Sequence, residues 1–179
     1  MAAKRIAHEG YGQVELNQVA FRRDGRIEAQ CKIDPNLAAN YVENGMMLAI
    51  DPVAKLVKYP TADGKALLHY STEHMYDERL AGALKDFKLE KNTFLPRLGY
   101  LAEGDKFTTN CVSFDFVEGT YEEANFWTDI ANCATVRMYG HTSVDGSILV
   151  NKTADGAFAL VVCGTTMPDR QKAVKFIAL

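Results

Sequence analysis

Residues 95–116 read LPRLGYLAEGDKFTTNCVSFDF, and the fold turns on how they are read. They contain an approach strand, a tight corner at Glu103, Gly104 and Asp105, and a long return strand over residues 106–116. Gly104 can take the left-handed geometry a sharp reversal needs, and an aspartate beside it can hydrogen-bond neighbouring backbone. Along the return strand, Phe107, Thr109, Cys111, Ser113 and Asp115 alternate with Thr108, Asn110, Val112, Phe114 and Phe116. Neither set is uniformly apolar, so the core face is expected to switch at a bulge near Asn110 and Cys111. The stretch is a β-scaffold whose corner is structural.

Turn chemistry recurs outward from this corner. Asp-Gly steps stand at Asp24, Asp63, Asp145 and Asp155, and an Asn-Gly step at Asn44. Alternation over residues 14–21, resuming at Ile27, Ala29, Cys31 and Ile33, predicts a hairpin through Asp24-Gly25. Residues 46–50 and 55–59 predict a second hairpin across Asp51-Pro52, and residues 135–139, 147–152, 157–163 and 173–179 read as further strands. One short helix is expected over residues 73–87, capped by Ser71 or Thr72, with Tyr76, Leu80, Leu84 and Phe87 along a narrow apolar stripe. Residues 118–130 are expected to form a loop with a helical turn. Residues 1–12, polar around a lone Ile6, read as an extended N-terminal arm that leans on something other than its own core. The fold class expected is mainly β, a small barrel or sandwich, with one β-rich domain over residues 13–179.

A chain of 179 residues with 47% hydrophobic and 24% charged residues has enough apolar material for one sizeable core. Its net charge of −3 supplies no drive toward nucleic acid or an anionic membrane, so neither is expected as a partner. Cys31, Cys111, Cys133 and Cys163 are dispersed without a C-x-x-C pair, which predicts reduced thiols in a chain made in a cytoplasm, with no zinc site. The N-terminal residues lack the apolar core of a secretory signal, and no run of about 18 apolar residues is present to span a bilayer.

The motifs that could carry chemistry fall short of it. His69, Glu73 and His74 are spaced H-x-x-x-E-H, and histidines five apart on a helix are turned about 140° from one another, so they do not share a face for one ion. GYLAEGDK at residues 99–106 places Asp105 where a phosphate loop needs lysine. There is no G-x-S-x-G elbow, and His141 with Ser143 fits a polar hairpin loop better than a triad. Cys163 follows an apolar run, as a structural thiol does. Tyr11, Phe21 with Arg22 and Arg23, and Tyr139 with Arg137 are too dispersed for a single-strand groove. No catalytic residue, metal ligand or cofactor is expected.

Asn44-Gly45 leading a strand, the segment HMYDER at residues 74–79 running to Asp86-Phe87, and PRLGYLAEGDKFTT at residues 96–109 together resemble the capsid decoration, or cement, proteins of tailed bacteriophages. The resemblance covers about residues 40–116. It implies a non-catalytic β-domain on the outside of a capsid, made in the host cytoplasm, that contacts the major capsid protein and stabilises the lattice, often as a homo-oligomer. Arg5, Tyr11, Arg22 and Arg23 are the candidate interface residues, since arginine and tyrosine often anchor protein contacts. The alternatives are another virion component, in a tail or fibre attachment, or a small β-barrel carbohydrate binder or enzyme. In the carbohydrate reading Tyr121 and Trp127 would stack on a sugar and Asp129 would hydrogen-bond it.

Overall fold

The computed structural model describes residues 2–61, 65–71 and 84–179. The first strands are β1 (Ala2–Arg5), β2 (Val14–Gln18), β3 (Ile27–Glu28), β4 (Lys32–Ile33), β5 (Tyr41–Val42), β6 (Met47–Asp51), β7 (Leu56–Lys58) and β8 (Leu67–His69). They are followed by β9 (Leu89–Glu90), β10 (Leu98–Gly99), β11 (Lys106–Thr109), β12 (Val112–Phe116), β13 (Tyr139–Thr142), β14 (Ile148–Asn151), β15 (Ala159–Thr166) and β16 (Lys172–Ala178). A larger sheet has the order β1-β12-β14-β13-β15-β16-β11-β2, a smaller one β3-β10-β8-β6-β7-β4, and β5 pairs with β9. The fold is mainly β and sandwich-like, as the turn-rich sequence predicts.

Chain connectivity forces both sheets to curl. β11 and β12 are joined by Asn110 and Cys111 alone, yet five strand spacings separate them within the larger sheet. Laid flat, those spacings would span roughly 24 Å, whereas the link reaches at most about 11 Å. The sheet therefore bends back on itself, and the expected irregularity at Asn110 and Cys111 is where the chain steps between its two ends. In the smaller sheet, residues 29–31 likewise connect β3 to β4 at opposite edges.

Each sheet encloses an apolar cluster. Phe107, Phe114, Phe126, Ile148, Val150 and Phe176 belong to the first, where Phe107 stacks on Phe176 with ring centroids 5.3 Å apart and Phe114 on Phe126 at 5.2 Å. Val42, Leu48, Val57, Leu67, Leu89 and Leu98 belong to the second. β6 and β8 form the wall between them. Met47 and Leu68 face the first cluster, while Leu48 and Leu67 face the second. A strand buried on both faces needs a continuous apolar run instead of alternation, and MMLAI and ALL supply one.

The corner at Glu103, Gly104 and Asp105 joins the two sheets. It is not the tip of a simple hairpin, because β10 lies between β3 and β8 while β11 lies between β16 and β2. Gly104 has φ of 84°, the left-handed geometry expected of it, and Glu103 is exposed. The Asp105 carboxylate, buried to 5% exposure, accepts hydrogen bonds from the Ala20 N–H at 2.7 Å and the Ala102 N–H at 2.9 Å. It thereby closes its own turn and ties it to the chain entering the first helix. Asp105→Ala would leave both N–H groups without that acceptor, and an expected loss of about 2 kcal/mol should appear in urea denaturation. A change under about 0.5 kcal/mol would mean that the carboxylate does not brace the corner.

Three expectations are revised. Asp24-Gly25 does not turn a hairpin: it ends a short helix, α1 (Ala20–Asp24), with Gly25 at φ 70° as its C-cap. The ring of Phe21 occupies the space a side chain at Gly99 would need, which locks α1 onto β10. Residues 118–130 hold more helix than a single turn. α2 (Glu123–Ala131) starts at a capping box between Glu122 and Asn125 and buries Phe126 and Ile130, one turn apart, with Ile130 against the bare backbone of Gly164 in β15 and Phe126 against Phe114. The N-terminal segment is extended as expected, but it rests on the chain's own core. β1 pairs in antiparallel register with β12, from Ala2 opposite Phe116 to Arg5 opposite Ser113, and Ile6 is 2% exposed. Most of the helix expected over residues 73–87, and the Asp63-Gly64 step, lie outside the described residues. The described end of that helix, Leu84–Asp86, is a 3₁₀ turn.

Candidate functional site

Polar groups gather where β1, the β5–β6 turn and the Asn110–Cys111 link meet. Arg5, at the end of β1, grips Glu43 with both terminal guanidinium nitrogens, Nη1 to Oε1 at 2.9 Å and Nη2 to Oε2 at 2.7 Å. Glu43 Oε2 also accepts the Gly12 N–H at 2.6 Å. Burial opposes both charges. The mutual hydrogen bonds and charges outweigh it, lowering the Glu43 pKa and raising that of Arg5, so the pair is ionised at neutral pH. Arg5 Nη2 lies 3.5 Å from the Cys111 sulfur, whose pKa burial pushes up to about 12, leaving a protonated and unreactive thiol.

His69 completes this seam from β8. Its Nδ1 is 2.6 Å from the Glu43 carbonyl oxygen and its Nε2 is 2.7 Å from Ser71 Oγ. A carbonyl can only accept, so Nδ1 carries the proton and Nε2 accepts from the Ser71 hydroxyl, which in turn accepts the Arg97 N–H at 3.1 Å. Serine beside histidine superficially suggests a nucleophile and base. Full burial, however, lowers the imidazole pKa to about 4, leaving a poor base whose two nitrogens are already occupied. The seam is a clasp between layers.

The residues singled out by sequence are spread over the surface and interior. Arg5, expected at an interface, is the inward clamp just described. Tyr11 packs edge-on against Tyr41 with ring centroids 5.2 Å apart, and Lys88 lies 5.3 Å from each centroid. Arg22 and Arg23 are exposed on α1, and Arg23 meets Asp24 at 3.2 Å. Of the three residues in the carbohydrate reading, two come together: Tyr121 donates to Asp129 Oδ2 at 2.7 Å. Trp127 is turned to other partners, with its indole N–H on Glu123 Oε1 at 3.0 Å, its ring edge-on to Phe126 and Lys172 over its face at 5.1 Å. The sugar-binding trio is not assembled.

A cavity of about 330 Å³ opens beside Tyr121. Val117, Met138 and Val150 give it apolar walls, and Asp115, Lys152 and the Tyr121 phenol give it polar ones. Lys152 Nζ sits 2.9 Å from the Asp129 oxygen that Tyr121 also holds. Burial, the hydrogen bond to Asp129 and the charges of Asp129 and Asp115 raise the Tyr121 pKa, so the phenol keeps its proton. Sequence reasoning missed Asp115 and Lys152 here and Glu43 in the seam, and weighed His69 only as a metal ligand. Only His69 carries a local signal, an ionisable residue inside the apolar run LLHY. Among the described residues, no group of three or more His, Cys, Asp or Glu is placed to hold a metal ion. No helix among them is long and apolar enough to cross a membrane.

Compared with known family models, curated proteins and solved structures, the chain matches none.

Proposed function

We propose that the chain is a non-catalytic virion structural protein, a decoration protein that binds the major capsid protein on the surface of a tailed-bacteriophage head and stabilises the lattice. One observation supports it most: each sheet presents a valine at the tip of a turn braced by a carboxylate. Val53, between β6 and β7, is 92% exposed, and Asp51 Oδ1 accepts the N–H groups of Val53 and Ala54 at 3.1 and 2.9 Å. Val144, between β13 and β14, is 79% exposed, and Asp145 Oδ1 accepts the Ser147 N–H and hydroxyl at 3.0 and 2.6 Å. Burial acts to raise the Asp145 pKa, but hydrogen bonds from Ser147 and Ser143 and the charge of Arg5 outweigh it, so the brace is ionised near neutrality. Apolar tips held rigid before contact lose little conformational entropy on docking, which suits a protein whose task is adhesion.

Part of the resemblance to decoration proteins rests on framework residues, while residues 74–79, which also carry it, lie outside the described residues. Asn44, Pro96, Gly99, Asp105, Phe107 and Thr109 are all buried, and Asp105 braces the corner between the two sheets. Arg22 and Arg23 remain the basic candidates for contact with the lattice or with a second copy of the chain. The test is attachment to purified, expanded capsids of a tailed phage that lack decoration. Saturable binding with a raised capsid melting temperature is expected, and Val53→Asp with Val144→Asp should weaken it at least tenfold while the free protein stays folded. Failure to bind any capsid form would sink the proposal.

A further inference from the structure

The cavity beside Tyr121 has a charge pattern that selects its ligand. Two carboxylates, Asp115 on its wall and Asp129 behind Tyr121, face one ammonium, that of Lys152. Lys152 is committed to Asp129 at 2.9 Å. Asp115 is only partly buried, and its side chain has no hydrogen bond or ion pair among the described residues. Lys4, on the strand paired beside it, lies instead over the Phe116 ring, 4.4 Å from its centroid. The cavity thus carries a net excess of one negative charge next to an aromatic ring, above walls of Val117, Met138 and Val150. Such a combination repels anions, gives neutral polyols few partners and attracts a cation carrying a short apolar body.

We propose that this cavity binds a primary alkylammonium group, with the cation at Asp115 against the Tyr121 ring and the alkyl stem along Met138 and Val150. The cavity, about 330 Å³, is at the small end of ligand sites and accommodates a chain of about six carbons or a lysine side chain. Lys152 already shows the arrangement in part, its own ammonium lying 6.0 Å from the Tyr121 centroid while it pairs with Asp129. A ligand cation would be the counterpart of Lys152 on the unpaired carboxylate.

Titration calorimetry on the intact chain with hexylammonium, hexanol and hexanoate tests this directly. Hexylammonium should bind with a dissociation constant on the order of a millimolar, at least tenfold more tightly than the other two. Asp115→Asn should weaken hexylammonium at least tenfold, with near-UV circular dichroism unchanged. Lys152→Met, by releasing Asp129, should strengthen it several-fold. A parallel titration with Nα-acetyl-lysine amide identifies the source of the cation: comparable affinity points to a protein lysine, and weaker binding to a free amine. Equal binding of all three hexyl compounds, or no hexylammonium binding by about 20 mM, overturns the proposal. So does a Lys152→Met variant that binds less well.

Discussion

Replacing Arg5 with alanine is expected to lower the unfolding free energy by about 3–5 kcal/mol, because it strands the Glu43 carboxylate in a place where water cannot replace its partner. The Glu43 side chain is 3% exposed and that of Arg5 28%, so the pair is closed to solvent mainly on the acid's side. Domains of this size commonly hold only about 5–15 kcal/mol in total, and the loss should shift the urea midpoint plainly. Deleting residues 1–6 should cost more still, because it also removes buried Ile6 and the β1 edge of the larger sheet. Under the reading of these residues as an arm, the same deletion would leave the domain's unfolding unchanged. The two pictures therefore separate in one experiment. Arg5→Met combined with Glu43→Leu should recover a large part of the loss, since removing both charges cancels the desolvation problem. Recovery should be incomplete, because the Gly12 N–H would still lack the oxygen it bonds at 2.6 Å. A loss below about 1 kcal/mol in the single variant would show that the clamp is not what fastens β1.

The contrast between arm and clamp shows where local pattern stops carrying information. Turn chemistry was legible at Asp145-Gly146, which does connect β13 to β14, and in the β6–β7 hairpin across Asp51-Pro52. The same chemistry misleads at Asp24-Gly25, because a left-handed glycine ends a helix as readily as it turns a hairpin. Period and turn residues mark Lys106–Thr109 as a strand but say nothing about which strand lies beside it, so the corner at Asp105 looks like a hairpin when it is a passage between sheets. α2 is hard to see in the sequence because its start is marked by a Glu122–Asn125 box and not by serine or threonine, and because Ile130 packs on Gly164, far along the chain. Arg5 and Glu43 are 38 positions apart, each an ordinary charged residue in its own neighbourhood. Only the pairing of β1 with β12 brings them together, and an unpaired-looking first strand offers no hint of it. Tyr121 and Asp129 are within reach of a local reading because they lie 8 positions apart, whereas Asp115 enters their cavity from β12 and Lys152 from just beyond β14.

Acid should unfold this protein in two windows, and the first belongs to His69. Its ordinary pKa is 6.5 and burial lowers the folded value to about 4. Below pH 6.5 the unfolded chain takes up a proton that the folded chain refuses until about pH 4, so stability is full above 6.5 and drains away as pH falls to about 4. A gap of about 2.5 pH units at about 1.4 kcal/mol each amounts to roughly 3 kcal/mol. Glu43 acts in the second window. Its folded pKa lies below the ordinary 4.5, so its stabilisation is complete above that value and is lost as pH falls through the lowered one. Urea denaturation at pH steps between 7.5 and 3.5 should show the loss beginning well above the carboxylate range. His69→Gln gives the control: it keeps a donor and an acceptor but cannot titrate. Its stability at pH 7 should be lower, for want of the Glu43 carbonyl and Ser71 bonds at their present geometry, yet nearly flat from pH 6.5 to 5. Parallel curves for the two proteins across that interval would mean that His69 protonates freely in the folded state, which its position against the Glu43 carbonyl and inside the wall between two apolar clusters does not allow.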